Sequence, residues 1–259
     1  MLLWACVHDR PVSWACRPEN WPADLRPAPL PAQSTVSRRA KTVEVLRLTA
    51  ALEQLLPPAA DFELALTIDG KPLTVGSHSK DPEAAWGHAR RGWVQGYKLH
   101  ALFGAPTAPR EWDVEPLNEA EPTVAARLVG RLEPGGGYVL GDANYDSNPL
   151  HEVTTAGGRQ LIAPRKRPYT GLGHCRHTPG RIRSIELLEG PAEFGRTLHA
   201  ERDDIERRFG RLTNHAAGLA PLPNWVRRLD RVRLWVQLKL IIHDAYVFLK
   251  SRPPPIAVA

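Results

Sequence analysis

Residues 137–147 read GYVLGDANYDS, and the reading of this stretch decides the fold. Tyr138, Val139 and Leu140 run into Gly141 and Asp142, and then come Asn144, which tolerates left-handed backbone, and the pair Asp146-Ser147, which is suited to capping a helix. The arrangement recurs at residues 62–70, FELALTIDG, where Leu64 to Ile68 run into Asp69 and Gly70. Both read as buried strands ending in a carboxylate, the position at which open α/β sheets collect ligands. With Asp146 or Ser147 taking the cap, Asp142 is free for other work. The plain alternative for Asp69 is a turn aspartate before glycine.

Working outward, GYKLHALFG (96–104) and REWDVEPL (110–117) read as further strands. PTVAARLVGRL (122–132) reads as a crossover helix opened by proline, SNPLHEVTTAGG (147–158) as a helix with a glycine stop, and QLIAPRK (160–166) as a short strand. TLHAERDDIERRFGRL (197–212) reads as one longer helix. The order βββαβαβα predicts an α/β fold, a mixed sheet flanked by helices. Before it, five prolines between Pro18 and Pro31 exclude helix and central strand, and Gln33-Ser34-Thr35 opens a helical stretch. In that stretch Val45, Leu48, Leu52 and Leu55 form an apolar stripe ending at Pro57-Pro58. The expected organisation is a small helical module over 1–58, read as a truncated DNA-binding module, a catalytic domain over 59–250, and a flexible Pro-rich tail over 251–259.

The 259 residues are 42% hydrophobic, enough for one sizeable core and a smaller appendage. A net charge of +6, with 27 Arg against 7 Lys, suits an anionic polymer, since the guanidinium fork matches phosphate oxygens. GC-rich coding accounts for the same bias equally well. From Arg159 to Arg183 there are seven Arg or Lys and no Asp or Glu, a block that is either solvated surface or a face for a phosphate backbone. Cys6, Cys16 and Cys175 have no paired spacing, and His174, Cys175 and His177 lack a fourth ligand, so neither a disulfide framework nor zinc is expected. The start, MLLWACVHDRPVSW, lacks the pattern of a signal peptide. The apolar run from Leu234 to Leu249 is broken by Lys239, His243 and Asp244, which points to a core helix rather than a membrane span. A cytoplasmic protein is expected.

Glu206 is a third acid of interest. It lies among Ile205, Phe209 and Leu212, a stripe that faces a core, and four residues after Arg202 on the same helical side. A surface ion pair explains it in isolation, and Glu201, Asp203 and Asp204 are nearby alternatives. Three carboxylates brought together by two strands and a helix would suit hard divalent cations and phosphodiester chemistry.

In order along the chain, LTIDGKPL, GYKLHAL, EWDVEPLNEAE, VLGDANYDS and RDDIERRFGRL resemble bacterial insertion-sequence transposases of the DDE type. The likeness is to insertion-sequence family four or five, whose catalytic domain shares the RNase H-like fold with retroviral integrases. The resemblance implies that Asp69, Asp142 and Glu206 are catalytic and hold two Mg²⁺ ions, with Mn²⁺ as a substitute. It also implies an endonuclease and strand-transfer activity on double-stranded DNA, at terminal inverted repeats and at a target, by a homodimer at the nucleoid. Arg38, Arg39, Lys98, Arg165, Lys166, Arg167 and Arg202 are the expected DNA contacts. The family's helix signature is Tyr, two residues, Arg, three residues, Glu, six residues, Lys; here His199 replaces the Tyr and Thr213 the Lys. Those departures leave two other readings open, an inactive remnant that binds DNA and an RNase H-like nuclease without strand transfer.

Overall fold

The computed structural model describes residues 1–55, 63–76, 78–89, 92–104, 109–168, 170–174, 176–215, 217–219 and 221–251. The proline stop at 57–58, Cys175 and the expected tail from 252 onward lie outside the described residues. Helices α1 (Leu2–Val7), α2 (Val12–Ala15), α3 (Gln33–Arg39) and α4 (Val43–Gln54) precede strands β1 (Ala65–Thr74), β2 (Ala85–Ala89), β3 (Gly92–Phe103) and β4 (Glu111–Pro116). Then α5 (Glu121–Arg131), β5 (Tyr138–Leu140), α6 (Asn148–Ala156) and β6 (Gln160–Ile162) alternate. Helices α7 (Pro179–Glu189), α8 (Phe194–Ala200), α9 (Ile205–Thr213) and α10 (Leu229–Ser251) complete the described chain. It divides into two units, Met1–Pro58 with Arg211–Ala259, and Ala59–Gly210.

The second unit is α/β, an RNase H-like mixed sheet of six strands flanked by helices. β1 pairs antiparallel with β3 and parallel with β5, and β5 pairs parallel with β6. The other edge of β3 carries two partners in succession, β2 beside Gly92–Gly96 and β4 beside Tyr97–Leu102. Leu66, Ile68, Val139 and Leu161 pack on one face with Val124, Ala125 and Leu128 of α5 and Leu150 of α6. Ala65, Tyr138, Leu140 and Ile162 pack on the other with Leu187 of α7 and Leu198 of α8. Strands covered on both faces are apolar throughout rather than alternating. That is why LALTI and YVL were legible as strands.

Three expectations need correction. β1 does not end at Asp69. Its parallel pairing with β5 stops at Thr67, but β3 continues to pair with it as far as Thr74. Pro72 is tolerated there because β5 no longer lies alongside that edge of β1. The helix expected over 197–212 is interrupted by a 3₁₀ turn at Glu201–Asp204. In the first unit the helical stretch breaks between α3 and α4, and the predicted stripe is not the buried face: Leu48 and Leu55 are exposed, while Thr49 is buried. The Thr49 hydroxyl donates to the carbonyls of Val45 and Leu46, which satisfies it inside its own helix.

The first unit also explains the cation within α10. Lys239 is fully buried, its Nζ donating to the carbonyls of Cys6 (2.8 Å) and Ala217 (3.1 Å) and lying 2.8 Å from the Asp9 carboxylate. Two of those partners, Asp9 and Ala217, adopt positive φ (48° and 65°), a backbone cost accepted where the surrounding contacts over-determine it. Among the described residues no helix is long and apolar enough to cross a membrane.

Lys239→Ala would leave these acceptors without their donor. Removing one partner of a fully buried pair costs about 3–5 kcal/mol; the Asp9 side chain retains 35% exposure, so about 2–4 kcal/mol is expected here, read as a lower denaturation midpoint in urea. An unchanged midpoint would contradict this account of Lys239.

Candidate active site

Thr67 of β1 and Leu140 of β5 are register partners, and Asp69 and Asp142 each lie two residues further along their parallel strands. Side chains alternate in strands, so the two carboxylates emerge at one level and on the face that carries Ala65, Tyr138 and Leu140. The end of β5 requires close packing: a Cβ on Gly141 would come within 2.9 Å of the Tyr145 side chain. Asp142 then caps a short 3₁₀ turn at Ala143–Tyr145, its Oδ1 accepting from the Asn144 amide at 2.8 Å. This differs from the expected division of labour. Ser147 stands at the N-cap of α6 without a side-chain capping bond, and Asp146 is engaged elsewhere.

Each carboxylate spends one oxygen on backbone and turns the other toward a shared cation. Asp69 Oδ1 accepts from the Gly70 amide at 2.7 Å, and its Oδ2 lies 3.3 Å from Arg202 Nη2. The same nitrogen is 3.7 Å from Asp142 Oδ2. Burial pushes the Asp69 carboxyl up to about 6, against the lowering influence of the Gly70 amide and Arg202, while Asp142 and Glu121 push it further up. Tyr145, buried beneath, is raised well above its ordinary value by burial and then by Glu121, Asp69 and Asp142.

Arg202 reaches this position from the 3₁₀ turn between α8 and α9. A 3₁₀ residue advances about 120° around the axis against about 100° in an α-helix, so the turn rotates Glu206 further from the Arg202 face. Glu206 is exposed on α9, and among the described residues no three His, Cys, Asp or Glu side chains form a group able to hold a metal ion. The structure therefore brings Asp69, Asp142 and Arg202 together without Glu206. His199, at the departing position, lies 3.0 Å from the Gly141 carbonyl through Nε2, so it supports the end of β5. Thr213 donates to Asn214 Oδ1 at 3.2 Å.

Two further residues escaped the sequence reading. Glu121, in the first turn of α5, accepts from Lys98 Nζ at 2.6 Å, and its charge acts on both Asp69 and Tyr145. The pair lies over Gly70, where a Cβ would come within 2.7 Å of Lys98 Cδ. The acid within the helix-opening Ala120-Glu121-Pro122 was the available signal, but such acids are common wherever a helix dipole favours them. On the same strand, His100 is fully buried without a ring-nitrogen partner among the described residues, and burial, then Lys98 and Arg127, bring it down to about 3.

The remaining basic candidates separate by their partners. Arg165 is bound by Glu189 and by the Thr170 carbonyl, whereas Lys166, Arg167, Arg38 and Arg39 are exposed. Arg181 grips Asp146 through two bonds (2.7 and 2.6 Å) and meets His177 Nδ1, while His177 Nε2 contacts the Leu172 carbonyl. Both ring nitrogens of His177 are thus occupied within the basic segment. Burial would raise the Asp146 carboxyl, but bonds from Arg181 and His151 hold it down to about 2.

Two carboxylates at one level, already sharing a positive charge, are a hard-oxygen donor set of the kind that fits a divalent cation. Residues 61–244 match the family described as the transposase DDE domain. No curated protein matches the chain.

Asp69 allows a test without substrate. Its carboxyl titrates near 6 in the folded protein against an ordinary 3.8, so between those values the native state holds a proton that the unfolded chain has released. Its contribution to stability therefore falls as pH rises through that window. In metal-free buffer Asp69→Asn, which keeps an acceptor for Gly70, should raise the melting temperature more near pH 7 than near pH 4. Equal shifts at both would break the assignment.

Proposed function

The chain belongs to the DDE transposase family, and on that premise we propose that it cuts the ends of a DNA element and joins them to target DNA. In this reading Asp69 and Asp142 would share two Mg²⁺ ions, with Mn²⁺ able to substitute, and Glu206, which stands apart from them in the structure, would complete one site. The observation that carries it is that Asp69 and Asp142, each two residues beyond the register pair Thr67–Leu140, share the Arg202 guanidinium. When bound, such ions supply activation of the attacking oxygen and stabilisation of the leaving 3′ oxygen.

The chain's own residues do the rest. Asp69 and Asp142 present their outward oxygens at one level, aligned by the Gly70 and Asn144 amides. Arg202, a fork donor between them, is suited to the phosphate under attack. Glu121 holds the Lys98 ammonium on the other face of the sheet, and its own charge acts on Asp69. Exposed Lys166, Arg167, Arg38 and Arg39 suit phosphates of the flanking duplex, with Arg165 bracing its segment through Glu189. A homodimer on DNA, bringing two element ends together at the nucleoid, completes the proposal.

Exposed Glu206, with His199 and Thr213 in place of Tyr and Lys, favours as a second reading an inactive relative that binds DNA. Cleavage of a duplex carrying the element's terminal repeat in Mg²⁺ separates the two. The proposal expects strand cleavage and joined products, reduced at least about a hundredfold by Asp142→Asn. Glu206→Gln should be equally damaging, while Glu121→Gln should be milder. Binding without cleavage supports the inactive relative, cleavage without joining supports a nuclease, and full activity of Asp142→Asn excludes this site.

A further inference from the structure

At the edge of the sheet, β2 pairs only with the first residues of β3, from Gly92 to Gly96. The hairpin they form displays Trp86 and Trp93, which are 51% and 62% exposed. Trp86 is the register partner of Gln95 and His88 of Trp93, so both indoles lie on one face and are diagonal neighbours. The His88 ring meets Trp93 edge-on, with centroids 5.3 Å apart and planes at 80°, which holds one side of the indole and leaves most of its surface open.

That face is the one from which Asp69 emerges. Asp69 is the register partner of Ala101, and Trp93 precedes Ala101 on β3 by an even number of residues in an unbroken register. Along the strand the separation is about 27 Å, roughly eight steps of duplex. Of the four Arg or Lys from Ala84 to Arg110, Lys98 is held by Glu121 on the other face and Arg110 lies 3.7 Å from Glu63, so the hairpin's unassigned charge is the sequence pair Arg90-Arg91, with no Asp or Glu between Ala84 and Arg110. Two solvated tryptophans on an edge hairpin would invite association in water unless something covers them. A cationic segment with open indoles matches an anionic polymer that offers flat faces, since stacked bases and neutralised phosphates together hold single strands.

Resting on the proposed DNA chemistry, we infer that the β2–β3 hairpin is a stacking platform for unpaired DNA bases. It holds a single-stranded or unstacked segment about eight nucleotides from the carboxylates. Trp93 carries the stack, His88 supports it, and Trp86 takes the neighbouring base.

The test uses the full chain with Asp142→Asn, in EDTA, so that its result does not depend on cleavage. The probes are an oligothymidylate of about twenty nucleotides, an abasic strand of the same length, and an oligonucleotide with one 2-aminopurine. The oligothymidylate should bind about tenfold more tightly than the abasic strand and 2-aminopurine emission should be quenched. Trp93→Ala should bring thymidylate binding to the abasic level and release the quenching, while Trp93→Phe retains most of both. Equal binding of the two strands, or unchanged binding by Trp93→Ala, overturns the inference. So does self-association of the protein that Trp93→Ala abolishes while thymidylate binding stays, which would make the face a contact between copies. A protein that cleaves terminal repeats yet binds both strands equally loses only this inference; one that stacks bases but never cleaves loses only the proposed activity.

Discussion

Two carboxylates at the same height on neighbouring parallel strands repel one another, and the second unit is arranged around satisfying that repulsion. Asp69 is pushed up by burial and by Asp142, and Arg202 supplies the opposing charge from the 3₁₀ turn. The 3₁₀ turn therefore has a consequence beyond local geometry, since it presents a guanidinium to the strand ends and rotates the next acid away. A site that holds its own counter-charge can remain folded without a bound cation, and any cation that binds must offer more than the guanidinium does.

Elsewhere the molecule treats its buried polar groups in the same way, with each charge held by an opposite charge or by carbonyl dipoles. Lys98 lies against Glu121, Arg181 against Asp146 and Arg165 against Glu189. In the other unit Lys239 relies mainly on carbonyls and Asp9, and two residues there adopt left-handed backbone around it. Fixed pairs of this kind restrict which basic residues are free for a polyanion. Lys166 and Arg167 are exposed while Arg165, their immediate neighbour, is held, so a run of three cations in sequence offers two on the surface.

Legibility followed burial. β1, β5 and β6 were readable because strands covered on both faces are continuous apolar runs, and α5 and α6 because proline and glycine marked their ends. β2 was not readable: AWGHA is short, contains a glycine against Leu117, and leaves its tryptophan in solvent, so it has none of the apolar period of a core strand. The apolar stripe of α4 failed for a related reason. Periodicity identifies a helix, but what packs on it decides its buried side, and there Thr49 took the place expected of leucine.

Sequence alone determined that an aspartate follows each of two apolar runs, that a mixed α/β sheet carries them, and which family they point to, because those features are encoded by local runs and short-range punctuation. Only the tertiary structure decided that Asp69 and Asp142 each lie two residues beyond a register pair, that Arg202 stands between them, that the charge of Glu121 acts on Asp69, and that Glu206 is exposed. These relations join residues dozens of positions apart. Strand pairing and the winding of one helical turn set them, and neither is visible in the order of residue types.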